Sequence, residues 1–217
     1  MAKNLTCTDC ALNGCEFVDG PRPSFCPSNE FVLEEQEWLQ QRFSDSENRR
    51  VIEAAATSAN EAFWGKLSHL EETLIFAREL GARTIGIASC VSLASEARAT
   101  ARVFEAHGFE VVGALCKIGG VTFGDLGIER DRCSEKMVLC NPIYQAKVLN
   151  EANTDLNVVM GLCTGHDSLF LKYVEGLCTF LTPKDFKFDG CAIRALRDDD
   201  PSGELKRLLG DESTQSV

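Results

Sequence analysis

The chain has only three histidines, His69, His107 and His166. That scarcity limits the catalytic arrangements open to its cysteines. It has no G-x-x-x-x-G-K-[ST] loop and no G-x-G-x-x-G after a strand, so nucleotide binding has no sequence support. Basic residues are outnumbered: 22 Lys and Arg stand against 33 Asp and Glu, a net charge of −11. An acidic surface repels phosphate backbones and anionic headgroups, which argues against nucleic acid and membrane surfaces as partners. No apolar run approaches the roughly 18 residues of a membrane span. The opening "MAKNLTCTDC" carries no apolar stretch of the kind a secretory leader needs. The expected location is the cytoplasm.

Cysteine, by contrast, is abundant: eleven in 217 residues. This is high for a reducing compartment, where structural disulfides are disfavoured, and the odd count also speaks against complete pairing. Metal ligation or thiol chemistry is the leading explanation. Burial as small hydrophobes accounts for the remainder, since free cysteine is among the most buried residue types. The length suits one domain with a full core plus an appendage.

Four regions follow from the patterning. Residues 1–28 hold four cysteines and three prolines with no helical or strand period, and read as a small cysteine knuckle. Residues 29–81 read as helical; "SHLEETLIFARELG" opens with Ser68 and Glu71 spaced as a capping box and closes at Gly81. Residues 82–200 alternate short apolar runs with helical patterns. "RTIGIAS", "FEVVGALC", "LNVVMGL" and "CTFLTP" read as strands. "SLASEARATARVFEAHG", "NPIYQAKVLNEAN" and "HDSLFLKYVEG" read as helices. Residues 201–217 read as a tail. Alternating strands and helices predict an α/β fold with a small parallel sheet of about four strands, flavodoxin- or Rossmann-like, in the order 2-1-3-4.

Cys7, Cys10, Cys15 and Cys26 form C-x2-C-x4-C-x10-C. Four thiols in a segment with little else to pack need something to fold around, and a metal supplies it, because metal-binding free energy becomes folding free energy. Four thiolates suit tetrahedral zinc or a [4Fe–4S] cluster. Uneven gaps and the final Cys26-Pro27 point toward iron–sulfur, with zinc as the alternative.

Cys90, Cys116, Cys140 and Cys163 have no linear motif, but the predicted fold gathers them. Cys90, Cys116 and Cys163 follow three strands, and Cys140 precedes the Asn141 cap of the helix that returns from the second strand to the third. All four are expected at the carboxyl edge of the sheet, where open α/β sheets bind ligands. A second metal site or a thiol site follows, with His166 and Asp167 beside it. His166 is a candidate ligand or proton donor. Asp167 is a candidate orienting acid, or simply a first-turn residue of the helix. Cys178, at a strand start, is expected to pack. Cys133 lies in the long segment before Cys140 and is a weaker ligand candidate, and Cys191 is unplaced.

"GLCTGHDSLF", residues 161–170, also reads as a nucleophile elbow with cysteine in place of serine. That reading needs a histidine later in the chain. None exists beyond His166, only three residues on, so covalent hydrolysis is a poor fit.

"IGIASCVSL", "HGFEVVGALCKIGG", "CNPIYQAKVLNEANTDLNVVMGLCTGHDSLFLKY" and "TPKD" resemble the cysteine-rich microbial proteins grouped as a domain of unknown function and as predicted metal-binding proteins. The resemblance implies metal binding through the N-terminal cysteines. It adds Lys184 to Cys90, Cys116, Cys140, Cys163, His166 and Asp167 as a residue of the site. The expected protein binds one or two iron–sulfur clusters and serves redox or sulfur chemistry, possible as an oxidoreductase or desulfurase. Its expected partners are an electron donor or a small-molecule substrate, with a homodimer left open. The alternative is a non-catalytic zinc carrier, sensor or structural zinc protein.

Overall fold

A computed structural model describes residues 5–128, 136–197, 199 and 201–210. Cys133 lies outside them. The chain divides into two compact units, Met1–Glu53 and Ala54–Val217.

In the first unit, three single 3-10 turns, Cys7–Asp9, Gly14–Glu16 and Pro27–Asn29, precede helix α1 (Leu33–Ser44). The turns are held locally: the Asp9 carboxylate accepts from the Thr6 backbone N–H at 2.9 Å, and the Asn29 amide donates to the Pro23 carbonyl at 2.8 Å. Backbone crosses backbone closely here. A Cβ on Gly14 would meet the Pro21 carbonyl oxygen at 2.0 Å, so only glycine fits. Gly14 is the one buried residue among the described part of these turns. Helix α2 (Ser46–Ser58) begins in this unit and ends in the next.

The second unit is the α/β domain. Helix α3 (His69–Glu79) starts at the predicted capping box. The Glu71 N–H donates to the Ser68 hydroxyl, and the Glu71 carboxylate accepts from the Ser68 N–H at 2.7 Å. Strands β1 (Thr84–Ser89), β2 (Glu110–Leu115), β3 (Leu156–Met160) and β4 (Leu177–Thr182) form one parallel sheet in the order β2-β1-β3-β4. Helices α4 (Ala94–Ala106), α5 (Pro142–Glu151) and α6 (His166–Tyr173) follow β1, β2 and β3. A short α7 (Glu204–Leu208) follows β4, its buried Glu204 bonded to Arg207 and Lys187.

Both central strands are buried on both faces, as a parallel sheet requires. One face of β1 turns Ile87 and Ser89 toward α4. The other packs Ala88 into a cluster with Ala114, Val159, Ala146, Leu149 and Phe170, beneath α5 and α6. The small residues of β1 let α5 approach. A Cβ on Gly86 would meet the Asn157 amide oxygen at 2.1 Å and Leu149 Cδ1 at 3.1 Å. Asn157 is itself fully buried and accepts from the Thr154 hydroxyl at 2.8 Å, so it has nowhere to retreat.

Gly86→Ala therefore overpacks the sheet centre. The expected cost is roughly 1–3 kcal/mol of unfolding free energy, with the urea m-value unchanged. An urea midpoint equal to that of the parent protein would refute this packing account.

Candidate functional site

The order β2-β1-β3-β4 sends the loops after β1 and β3 apart, and the crevice lies between their carboxyl ends. Three backbone bonds carry the ladder past the strands and fix what comes next. Cys90 N donates to the Met160 carbonyl at 3.1 Å, Cys116 N to Ser89 at 2.9 Å, and Gly161 N to Thr182 at 2.8 Å. Asn141 N donates to the Cys116 carbonyl at 2.7 Å, which brings the start of α5, and Cys140 with it, to the end of β2. The Asn141 side chain then caps α5 by accepting from Tyr144 N.

The thiols meet there. Lys184, two residues beyond β4, donates its ammonium to Cys163 Sγ at 3.1 Å and to Cys90 Sγ at 3.4 Å. The two sulfurs therefore flank one positive charge across the β1/β3 crevice. Cys90 is buried and Cys163 half-buried. Cys90 Sγ also lies 3.0 Å from the Ser92 hydroxyl. Burial by itself raises the Cys90 thiol, but Ser92 and the Lys184 ammonium together outweigh it and hold the group below its ordinary value. Cys116 Sγ accepts from Val91 N at 3.3 Å. Burial, with the neighbouring charges of Cys140 and Cys90 adding, pushes the Cys116 thiol up to about 11. One member of the group thus loses its proton more readily than an ordinary cysteine, and another less readily.

The glycines shape this edge. Gly161 has φ +59°, and a Cβ there would meet Leu93 Cδ1 at 2.3 Å. Gly165, with φ +86°, turns the chain into α6. The first turn of that helix closes on Cys163, whose carbonyl accepts from His166 N at 2.8 Å and Asp167 N at 3.3 Å. The Asp167 carboxylate accepts from Gly165 N and Ser168 N at 2.9 and 2.8 Å, so its bonds secure the turn rather than the His166 ring. Burial, then the positive charges of Lys184 and Lys117, hold the His166 imidazolium below the ordinary histidine range, against the pull of Asp167. The ring is neutral at pH 7.

Three residues of this neighbourhood escape a reading of the sequence. Ser92 stands two residues after Cys90, and that proximity is its only signal. Lys117 follows Cys116 directly and donates to the Val138 carbonyl at 2.5 Å. Gln145 is fully buried on α5, donating to the carbonyls of Ser89 and Ala114 at 3.1 and 2.7 Å, while its Oε1 has no partner. Its signal was legible: a polar residue at an inward position beside Ala146 and Leu149.

The N-terminal cysteines form a separate group. Cys7, Cys10, Cys15 and Cys26 line one cavity of about 190 Å³, together with Gly14 and Pro21. None of their sulfurs has a hydrogen-bond partner among the described residues. No three His, Cys, Asp or Glu side chains converge at metal-ligating distance among the described residues, here or at the sheet edge. All the described cysteines are free. Cys191 is exposed before a 3-10 turn. Cys178 packs against the core from β4, its thiol 3.6 Å from the Gly176 carbonyl.

Residues 26–181 match the family described as "Protein of unknown function (DUF1847)". The chain belongs to that family. DUF1847 thus takes in Cys26 and all four sheet-edge cysteines, while Cys7, Cys10, Cys15 and Lys184 fall outside the matched residues. The "Uncharacterized protein MJ0455" of Methanocaldococcus jannaschii is similar to the chain, at 37% identity over 145 residues, covering 67% of this chain and 74% of the relative. No solved structure matches. Among the described residues, no helix is long and apolar enough to cross a membrane.

Burial pushes the Cys178 thiol from an ordinary 9.0 up to about 11. The folded chain therefore keeps a proton that the unfolded chain loses, and stability falls as pH rises between those two values. Urea midpoints measured across that range should drop less steeply in Cys178→Ala. An unchanged slope would show that Cys178 is not one of the linked groups.

Proposed function

We propose that this is a cytoplasmic metal-binding redox protein with two cysteine sites of different kinds. The N-terminal four-cysteine knuckle binds an iron–sulfur cluster, with zinc as its alternative occupant. The sheet-edge thiols carry redox or sulfur chemistry on a small molecule. The observation that supports this division is the Lys184 ammonium on both Cys90 and Cys163. It provides the positive charge that a thiolate pair would otherwise take from a metal, so this pair suits a nucleophile more than a ligand set.

The knuckle supports the metal reading through its donor set and its construction. Four cysteines line one cavity in a segment held by single turns, and four thiolates are what a [4Fe–4S] cluster or structural zinc takes. A cluster would supply one-electron transfer; zinc would supply folding energy. The chain's own contribution is to bring Cys7, Cys10, Cys15 and Cys26 to that cavity through the crossing of Gly14 and Pro21.

At the sheet edge, the Lys184 ammonium, in contact with Cys163 and Cys90, can balance a negative charge that forms there, Cys116 stays protonated behind them, and neutral His166 can take up a proton. An electron donor or a small thiol returns the site to its starting state. The acidic surface and the reducing compartment in which free thiols persist suit this reading.

The test is purification without oxygen, followed by visible absorption and assays of iron, acid-labile sulfide and zinc. We expect about one cluster's worth of iron and sulfide per chain, lost in Cys7→Ala and retained in Cys163→Ala. Iron and sulfide near two clusters, with half lost in Cys163→Ala, would overturn the division, and colourless protein with a single zinc would replace the cluster with the alternative. Iodoacetamide should label native Cys163 ahead of Cys116. If Cys163 is inert, the thiol reading fails.

A further inference from the structure

Lys184 has unusual partners for a lysine in an acidic chain. The sequence offers 33 Asp and Glu. Among the described residues, however, its ammonium makes hydrogen bonds to two sulfurs, Cys163 Sγ at 3.1 Å and Cys90 Sγ at 3.4 Å, and to no carboxylate. The neighbouring Asp185 carboxylate serves its own turn, accepting from Lys187 N and Phe188 N at 3.0 and 3.1 Å. Backbone bonds fix both ends of the contact. Gly161 N donates to the Thr182 carbonyl at 2.8 Å, which ties the end of β3 to the residue two before Lys184. The Cys163 carbonyl accepts from His166 N at 2.8 Å, in the first turn of α6. Cys163 and Lys184 are both half-buried, whereas Cys90 is buried. A side-chain nitrogen and a thiol sulfur therefore stay in direct contact where a small oxidant can reach them.

We propose that Cys163 and Lys184 are an oxygen-sensing pair, which dioxygen joins through a single oxygen atom as a reversible Sγ–O–Nζ cross-link that closes the sheet-edge site in air. This goes beyond the thiol reading, because it rests on the Cys163–Lys184 contact and holds whether or not the site turns over a substrate. The separation of the two atoms argues for a bridging oxygen. A direct S–N bond would need them to close far inside their present contact, whereas a bent S–O–N link spans nearly the gap that exists. Cys163 is the partner because it is the more exposed sulfur and makes the shorter contact. Cys90 is also engaged by the Ser92 hydroxyl at 3.0 Å.

One thiol, one amine and one dioxygen give the link and one water. The O–O bond breaks; one oxygen bonds to Sγ and Nζ, and the other leaves as water. Sulfur and nitrogen each give up two electrons, and dioxygen takes all four. The thiol proton and one amine proton leave in the water, and one proton stays on Nζ. A thiolate and an ammonium carry the same three protons, so the balance is unchanged if the pair starts charged. The contact with Cys163, more than that with Cys90, holds the Lys184 ammonium above its ordinary value, against burial. Oxidation of Cys163 Sγ removes that hold and frees the nitrogen lone pair as the sulfur reacts. Four electrons and four protons from a low-molecular-weight thiol, which leaves as its disulfide, return thiol, amine and water. The linked nitrogen is no longer a cation, so Cys90 also loses a partner that lowers its thiol.

The test starts from the full-length chain purified without oxygen. Half is exposed to air, and both halves are digested with trypsin without reductant and mapped by mass spectrometry. In air, the peptide holding Cys163 should be joined to the peptide holding Lys184, at their summed mass plus one oxygen less two hydrogens, and trypsin should no longer cut after Lys184. Cys178 lies in the same tryptic peptide as Lys184. A Cys163–Cys178 disulfide would join the same peptides, but without the oxygen and with Lys184 still cleavable. Air should abolish iodoacetamide labelling of Cys163, and dithiothreitol should restore it. The link should be absent under nitrogen and absent in Lys184→Arg, which keeps the charge but has no primary amine. It should persist in Cys90→Ser and in Cys7→Ala, which removes a knuckle thiol. A disulfide of Cys163, a link from Lys184 to Cys90, or a direct S–N link as the main product in air would each overturn the inference. Loss of the link in Cys7→Ala would trace it to the knuckle and overturn it too. Cys163 that labels under nitrogen yet forms no link in air would sink the cross-link and leave the thiol reading standing. Cys163 inert to both would sink both.

Discussion

The site depends on the parallel pairing of β1 with β2 on one side and β3 on the other. A strand paired on both edges and packed on both faces has no freedom of register, because a one-residue slip would exchange its inward and outward residues. Ile85 pairs with Val111 and Leu156, and Ala88 with Ala114 and Val159. Parallel strands also end on the same side, so the residues that follow them are brought together whatever their distance in sequence. Cys90, Cys116 and Cys163 meet for this reason, and Lys184 joins them because β4 runs the same way beside β3.

The chemistry of the edge follows from unequal burial around one charge. Cys90 and Cys116 are both almost inaccessible, yet their thiols move in opposite directions. Burial disfavours a thiolate in each case, and the difference lies in the partners. Cys90 has the Ser92 hydroxyl and the Lys184 ammonium, whereas Cys116 has one backbone N–H and two other cysteines. Gln145 ties the carbonyls of Ser89 in β1 and Ala114 in β2 to α5, with its own oxygen unpartnered. That unpaired group is costly in a buried position.

The knuckle has the opposite construction. Its four cysteines lie close in sequence, and the structure brings them to one cavity without the help of a sheet. What order it has comes from single turns and from the crossing of Gly14 with Pro21. Local spacing alone gathers those residues, whereas the sheet-edge residues are gathered only by tertiary pairing.

Much of the fold was legible in the residues. Apolar runs of β-branched residues marked the strands. Ser68 with Glu71 and Asn141 with Pro142 marked two helix starts, and the alternation of strands and helices implied the 2-1-3-4 order that the sheet adopts. From that order the placement of Cys90, Cys116, Cys140 and Cys163 along one edge could be argued before any contact was seen. The side-chain partners were another matter. Nothing in a linear reading says that Lys184 bridges Cys90 and Cys163, that Ser92 turns toward Cys90, or that Asp167 bonds to its own turn rather than to His166. The sequence by itself determined which residues start, cap and fill the elements, because propensity, capping and periodicity are local. Only the tertiary structure decided which thiols share a charge and which stay protonated, because desolvation and Coulomb energy depend on distances across strands that sequence separation does not encode.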